Sequence, residues 1–95
     1  MSRFIGMRSE EVCSILRQWS MIPIERTNKI DAADWLKERF GNAFADCSIR
    51  VDDNGIQIAQ KYVSVMVDSE WDWTPSGYFF VKNPIVAVEF KLRFG

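Results

Sequence analysis

The residues with the most chemical potential stand together in Asp68-Ser69-Glu70-Trp71-Asp72-Trp73, where carboxylates alternate with two indoles. Carboxylates at alternate positions open a calcium-binding loop, because their oxygens converge on one ion. Such a loop also needs glycine at its sixth position and a bidentate glutamate at its twelfth; counted from Asp68, those places hold Trp73 and Phe79. The spacing therefore argues against calcium and for an acidic surface loop. Asp52-Asp53 is a second carboxylate pair, and hydrolysis of a glycoside needs only two acids at the right separation. Here they adjoin Asn54-Gly55, and Asp is favoured beside tight turns for its bonds to the backbone, so turn chemistry accounts for them. Histidine is absent, which removes the commonest general base and the commonest metal ligand. Cys13 and Cys47 lack C-x-x-C spacing and read as buried free thiols. There is neither a G-x-S-x-G elbow nor a phosphate-cradling glycine loop. The expectation is a chain that is not an enzyme and carries no metal and no cofactor.

Ser76-Gly77-Tyr78-Phe79-Phe80-Val81 partly matches the strand on which RNA-recognition domains stack bases, with Gly77, Tyr78, Phe80 and Val81 in register. Its leading basic position is Ser76, however, and two helices ahead of all the strands contradict the β-α-β-β-α-β order of those domains. Nucleic-acid binding is kept as the alternative, on a sheet face with Tyr78, Phe80, Lys82, Lys91 and Arg93, and it requires affinity that falls steeply with salt.

Charge is nearly balanced, at a net −1, but unevenly placed. Asp46, Asp52, Asp53, Asp68, Glu70 and Asp72 face only Arg50 and Lys61 in the middle of the chain, whereas Lys82, Lys91 and Arg93 outweigh Glu89 at its end. Tryptophan is enriched at the centres of protein interfaces, and flanking acids steer a loop toward a basic partner. The leading expectation is a non-catalytic protein-binding module whose loop at 68–76 docks on a basic protein surface. Asp52, Asp53, Asp68, Glu70, Trp71, Asp72 and Trp73 form the binding set. A chain of this size without active-site chemistry suits an accessory or inhibitor protein of a phage or mobile element, acting on a nucleic-acid-processing enzyme. The alternative for the two indoles is that they fold back over an open edge of the core.

These residues must be positioned by elements the sequence also signals. Ser9 suits an N-cap, and Val12, Ile15, Leu16 and Trp19 fall at helical spacing, which predicts a helix over 9–20 that Pro23 ends, with a connection over 21–30. Asp31 as a cap, Ile30 stapled to Trp35, an inward Leu36 and Phe40, and Gly41 at the end predict a second helix over 31–40. From Cys47 the period changes to two. Ile49 and Val51 run into the hairpin signal Asn54-Gly55, which allows Val51 to pair with either Ile56 or Ile58. A bend at 59–61 separates Ile56 and Ile58 from Val63, Val65 and Val67. Tyr78–Val81 and Pro84–Phe94 read as two further strands joined at Asn83-Pro84, the last with Val86, Val88, Phe90, Leu92 and Phe94 inward.

The resulting expectation is a single α+β domain over 1–95, with two N-terminal helices on one face of a three- to four-stranded antiparallel sheet. At 95 residues and 47% apolar there is room for one core. The first eight residues lack the apolar run of a signal peptide, so the cytoplasm is the expected location, with no membrane partner. An exposed edge, such as the C-terminal strand ending at Gly95, leaves a homodimer open.

Overall fold

Ten elements alternate along the chain in the computed structural model, which describes residues 4–45, 49–52 and 55–95. They are β1 (Phe4–Arg8), α1 (Ser9–Leu16), β2 (Ser20–Pro23), α2 (Lys29–Phe40), β3 (Arg50–Asp52), β4 (Gly55–Gln57), β5 (Tyr62–Met66), β6 (Trp71–Trp73), β7 (Tyr78–Val81) and α3 (Pro84–Phe94). The class is α+β, with antiparallel pairing throughout. The centre is a three-stranded sheet in the order β2-β7-β6, flanked by the pairs β1-β5 and β3-β4.

Side chains alternate across a strand, and β7 uses both of its faces. Phe79 and Val81 enter one core with Ile22 of β2, Trp71 of β6, Ala32, Ala33 and Leu36 of α2, and Ala87 and Phe90 of α3. Phe80 enters a second core with Val12 and Leu16 of α1, Phe44, Ile49, and Val63 and Val65 of β5. The central sheet is therefore covered on both faces: α2 and α3 lie on one, α1 and the β1-β5 pair on the other. The expected two N-terminal helices on a single face are not found, because the first core needs a third helix to close it.

That helix is the largest departure from the expected elements. Pro84–Phe94 is helical rather than a strand, and Asn83-Pro84 is its start rather than a turn. The Asn83 side chain accepts from the Ile85 and Val86 amides at 2.9 and 3.4 Å, and Pro84 occupies the first turn, where its missing N–H costs nothing. Phe90 then reaches Phe79 at 5.2 Å and Trp35 at 5.9 Å between ring centroids. Contacts of this kind add about 0.5–1.5 kcal/mol each beyond area burial. Asn83→Ala is expected to cost about 1 kcal/mol. In a thermal melt this reads as a midpoint lowered by about 4–8 °C.

Smaller differences have local causes. α1 stops at Leu16, where Gln18 and Trp19 tighten the last turn by donating to Ile15 and Leu16. Ser20–Pro23 is a strand and not a connection; Pro23 is tolerated because β2 is an edge. α2 begins two residues early, after Asn28, and leaves Ile30 exposed, so Ile30 forms no staple. Its C-terminal end agrees with expectation, with Gly41 at φ +81°. The β3-β4 pairing joins Val51 to Ile56, one of the two allowed registers, while the turn residues Asp53 and Asn54 lie outside the described residues, as does Cys47. Val63 and Val65 are buried as expected, whereas Val67 is exposed. At Gly77, φ is +100° and a β-carbon would sit 2.6 Å from the Ile24 carbonyl oxygen, so only glycine fits where the β2-β7 ladder extends to the bond from the Ile24 amide to the Gly77 carbonyl.

Candidate protein-docking surface

The stretch richest in chemistry turns inward. Trp71 is 2% exposed and Asp72 is 0% exposed. β6 pairs with β7 so that Trp71 and Trp73 lie on the face shared by Val81 and Phe79, and Asp72 lies on the face of Phe80. The Trp71 indole N–H donates to the Gly41 carbonyl at 2.9 Å, and its backbone carbonyl accepts from the Phe44 amide at 2.8 Å. Ser69 donates its hydroxyl to the Asn42 carbonyl at 2.7 Å. The Asp72 carboxylate accepts from the Ala45 amide at 3.0 Å and from the Trp73 amide at 2.9 Å. Residues 69–72 thus clamp 41–45, the segment that leaves α2, by satisfying donors and acceptors that no regular element supplies.

This placement corrects the expected binding set. Trp71 and Asp72 are buried within the fold. Trp73 is half-buried, its ring tilted on Phe79 at 5.6 Å. Asp68 and Glu70 stay at the surface beside it, without the indole anchors that would make them an interface centre. Asp52 is exposed on a different pair of strands, β3-β4, and Asp53 lies outside the described residues. The sheet face required for base stacking is closed as well. Phe79 and Phe80 are fully buried on opposite faces of β7, Tyr78 is half-buried, and Lys91 and Arg93 ride on α3.

Burial pushes the Cys13 thiol up, against a smaller opposing pull from Arg17, which makes it less nucleophilic than a free thiol. Among the described residues no cluster of acids and cysteines could hold a metal ion. A cleft of about 130 Å³ between α2 and β6, lined by Asp34, Lys37, Asn42 and the two indoles, is smaller than the few hundred Å³ of ordinary ligand pockets, whereas a wider one of about 340 Å³ opens between α1 and the β3-β4 pair, lined by Leu16, Trp19, Met21, Val51 and Ile56. Among the described residues no helix is long and apolar enough to cross a membrane.

What stands out is the outer side of α3. Ala87 and Phe90 are buried and Val86 and Phe94 pack beside them, which is the inward stripe of an ordinary surface helix. Ile85, Val88 and Leu92, at i, i+3 and i+7, form a second apolar stripe on the opposite side and are 78%, 60% and 84% exposed. Glu89 beside the stripe is neutralised by Arg39 at 3.1 Å, and the Arg39 guanidinium also lies 4.2 Å above the Trp35 ring. Lys91 and Arg93 then leave the flanks of the stripe positive. An alternating reading of the same residues hid it in the sequence, because apolar residues on two opposite sides of a helix also fall at alternate positions. Compared with known protein families, with curated proteins and with solved structures, the chain finds no match in any of the three.

Proposed function

We propose that this chain is a non-catalytic protein-binding module that docks through the outer face of α3. The observation that carries the reading is that α3 is apolar on two opposite sides, with Glu89, Lys91 and Arg93 between them. A helix of that composition is normally enclosed, and here Ile85, Val88 and Leu92 are among the most exposed aliphatic side chains of the protein. Helix-in-groove recognition uses anchors at this spacing, and aliphatic anchors transfer from water into a partner's groove at about 25 cal/mol per Å². Lys91 and Arg93 set the partner's chemistry: an apolar groove with an acidic rim. The cationic flank replaces the acidic loop as the steering element, since Asp72 is occupied inside the fold. An accessory or inhibitor role, in which the module blocks or recruits a larger enzyme, fits a domain whose one buried carboxylate among the described residues, Asp72, serves its own folding.

The test compares the wild-type chain with Ile85→Glu/Leu92→Glu as baits in a lysate of the native source, followed by titration of the purified partner. Both positions point to solvent, so the thermal midpoint should stay unchanged. Affinity is expected to fall by about a hundredfold or more, because two anchors at an interface centre are replaced by charges that an acidic rim repels. Equal affinity of the two baits, or capture that nuclease abolishes, would overturn the reading.

A further inference from the structure

β1 is an edge strand whose free side carries the marks of a second strand. The Ser9 amide donates to the Lys61 carbonyl at 3.0 Å, one step beyond the pairing of Arg8 with Tyr62, so Ile5 and Met7 also exchange their bonds with Val65 and Val63 on β5. Phe4, Gly6 and Arg8 alternate with them and turn their N–H groups outward. On the far side of β5 the same alternation is seen directly, where the Met66 amide points away from β1 and donates to the Phe44 carbonyl at 2.8 Å. Among the described residues no strand pairs with the outer edge of β1.

Two details show what chemistry the edge would accept. Gly6 sits in the middle of the strand, where glycine is unfavourable, yet its φ is not positive and a β-carbon there would meet nothing within 4 Å. The monomer gives no reason for glycine. Glycine in a strand interior often marks the close approach of another backbone. Phe4 and Ile5 are also exposed on this edge, a liability that soluble proteins ordinarily cover or charge.

We propose that β1 pairs with β1 of a second copy of this chain, antiparallel about a two-fold axis at Gly6. Outward residues must face outward residues, and centring the pair on Gly6 is the arrangement that uses all of β1. Gly6 then faces Gly6 of the copy, and Phe4 faces Arg8, each exchanging both N–H···O bonds. Ile5 faces Met7 on the side where the second core lies. Within each protomer Arg8 already stands opposite Tyr62, so its guanidinium comes to lie between the Tyr62 ring and the copy's Phe4 ring. In the monomer the Arg8 guanidinium has only an exposed 3.9 Å ion pair with Glu10. The strand is thus complementary to itself residue by residue, and two β1-β5 pairs join into one four-stranded sheet with a β5 strand at each edge.

Sedimentation equilibrium of the full chain over about a hundredfold dilution tests this by mass action. The wild type is expected to approach twice its 11.1 kDa mass at the high end. Gly6→Lys, which has room in the monomer but sets two ammonium groups face to face across the axis, is expected to remain at 11.1 kDa. Leu92→Glu is expected to dimerise like the wild type. A wild type that stays monomeric throughout, or a Gly6→Lys variant that still dimerises, would overturn the proposal. So would a dimer lost in Leu92→Glu and kept in Gly6→Lys, which would place the contact on α3. Should Gly6→Lys fail to fold, amide exchange of wild-type Gly6 decides: protection that rises with concentration supports the pairing, and protection independent of concentration removes it.

Discussion

Trp71→Ala is expected to lower the thermal midpoint by about 12–40 °C. Removing a buried tryptophan costs about 3–5 kcal/mol through lost transfer energy and the cavity left behind. In a domain of this size each kcal/mol shifts the midpoint by about 4–8 °C. Trp71 is enclosed among Ile22, Phe79 and Val81 of the central sheet and the helices that cover it, and truncation also orphans the Gly41 carbonyl that its indole N–H satisfies. Total stability for a chain of this length is on the order of 5–14 kcal/mol, so a single ring carries a large share of it. Trp73→Ala is the internal comparison. Its ring is half-buried and its loss should cost clearly less, although a docking loop would have made the two residues equivalent. Differential scanning calorimetry of both variants reads the difference directly. Equal and small shifts would show that Trp71 is not enclosed.

Asp72→Ala is expected to be the second most damaging change, at about 3 kcal/mol, since it leaves the buried Ala45 amide and the part-buried Trp73 amide without an acceptor, at about 1–3 kcal/mol for a buried group. The donors are Ala45 and Trp73, one on the segment leaving α2 and one on β6 itself, so the carboxylate ties the two hydrophobic cores together at the point where the chain passes between them. The contrast is with Glu70→Ala, two residues away and exposed, which should stay within about 0.5 kcal/mol of the wild type. Urea unfolding of the pair gives both numbers. A small effect at Asp72 would mean that the amides find water instead.

These two residues also show where sequence reasoning stopped. Trp71-Asp72-Trp73 has the period of a strand, but three residues are too few to establish a period, and an aspartate between tryptophans reads as surface until its hydrogen-bond partners are known. Those partners come from 41–45, far away in sequence. β1 was hidden for a related reason: Ile5 and Met7 alternate with Gly6 and Arg8 over too few residues to establish a period. α3 misled through ambiguity of a different kind. Val86, Val88, Phe90, Leu92 and Phe94 satisfy a period of two, and a helix with apolar residues on both sides gives no periodicity of 3.6 to compete with it. Asn83-Pro84 serves equally as a turn or as an N-cap followed by a first-turn proline. Segments whose signals were local and one-sided fared better. Gly41 ends α2, Val51 pairs with Ile56, and Val63 and Val65 face the core.

The candidate site followed the same division. The absence of histidine was legible at once, because it depends on residue types alone. Burial of Trp71 and Asp72 was not, because it depends on which face of a short strand meets the core. The α3 stripe became visible only once the segment was helical, when Ile85, Val88 and Leu92 moved to one side and Phe90 to the other. Within the acid-rich centre Asp72 consequently contributes to folding, and the proposed docking surface falls in the mildly basic end.

A photo-crosslinking side chain at position 88, compared with the same group at exposed position 57 on β4, tests the docking surface most directly. Activated in a lysate of the native source, position 88 is expected to form an adduct with one protein, mapping to an apolar surface bordered by Asp and Glu, while position 57 forms none. An adduct from position 57 with none from position 88 would contradict the assignment of α3 as the docking helix.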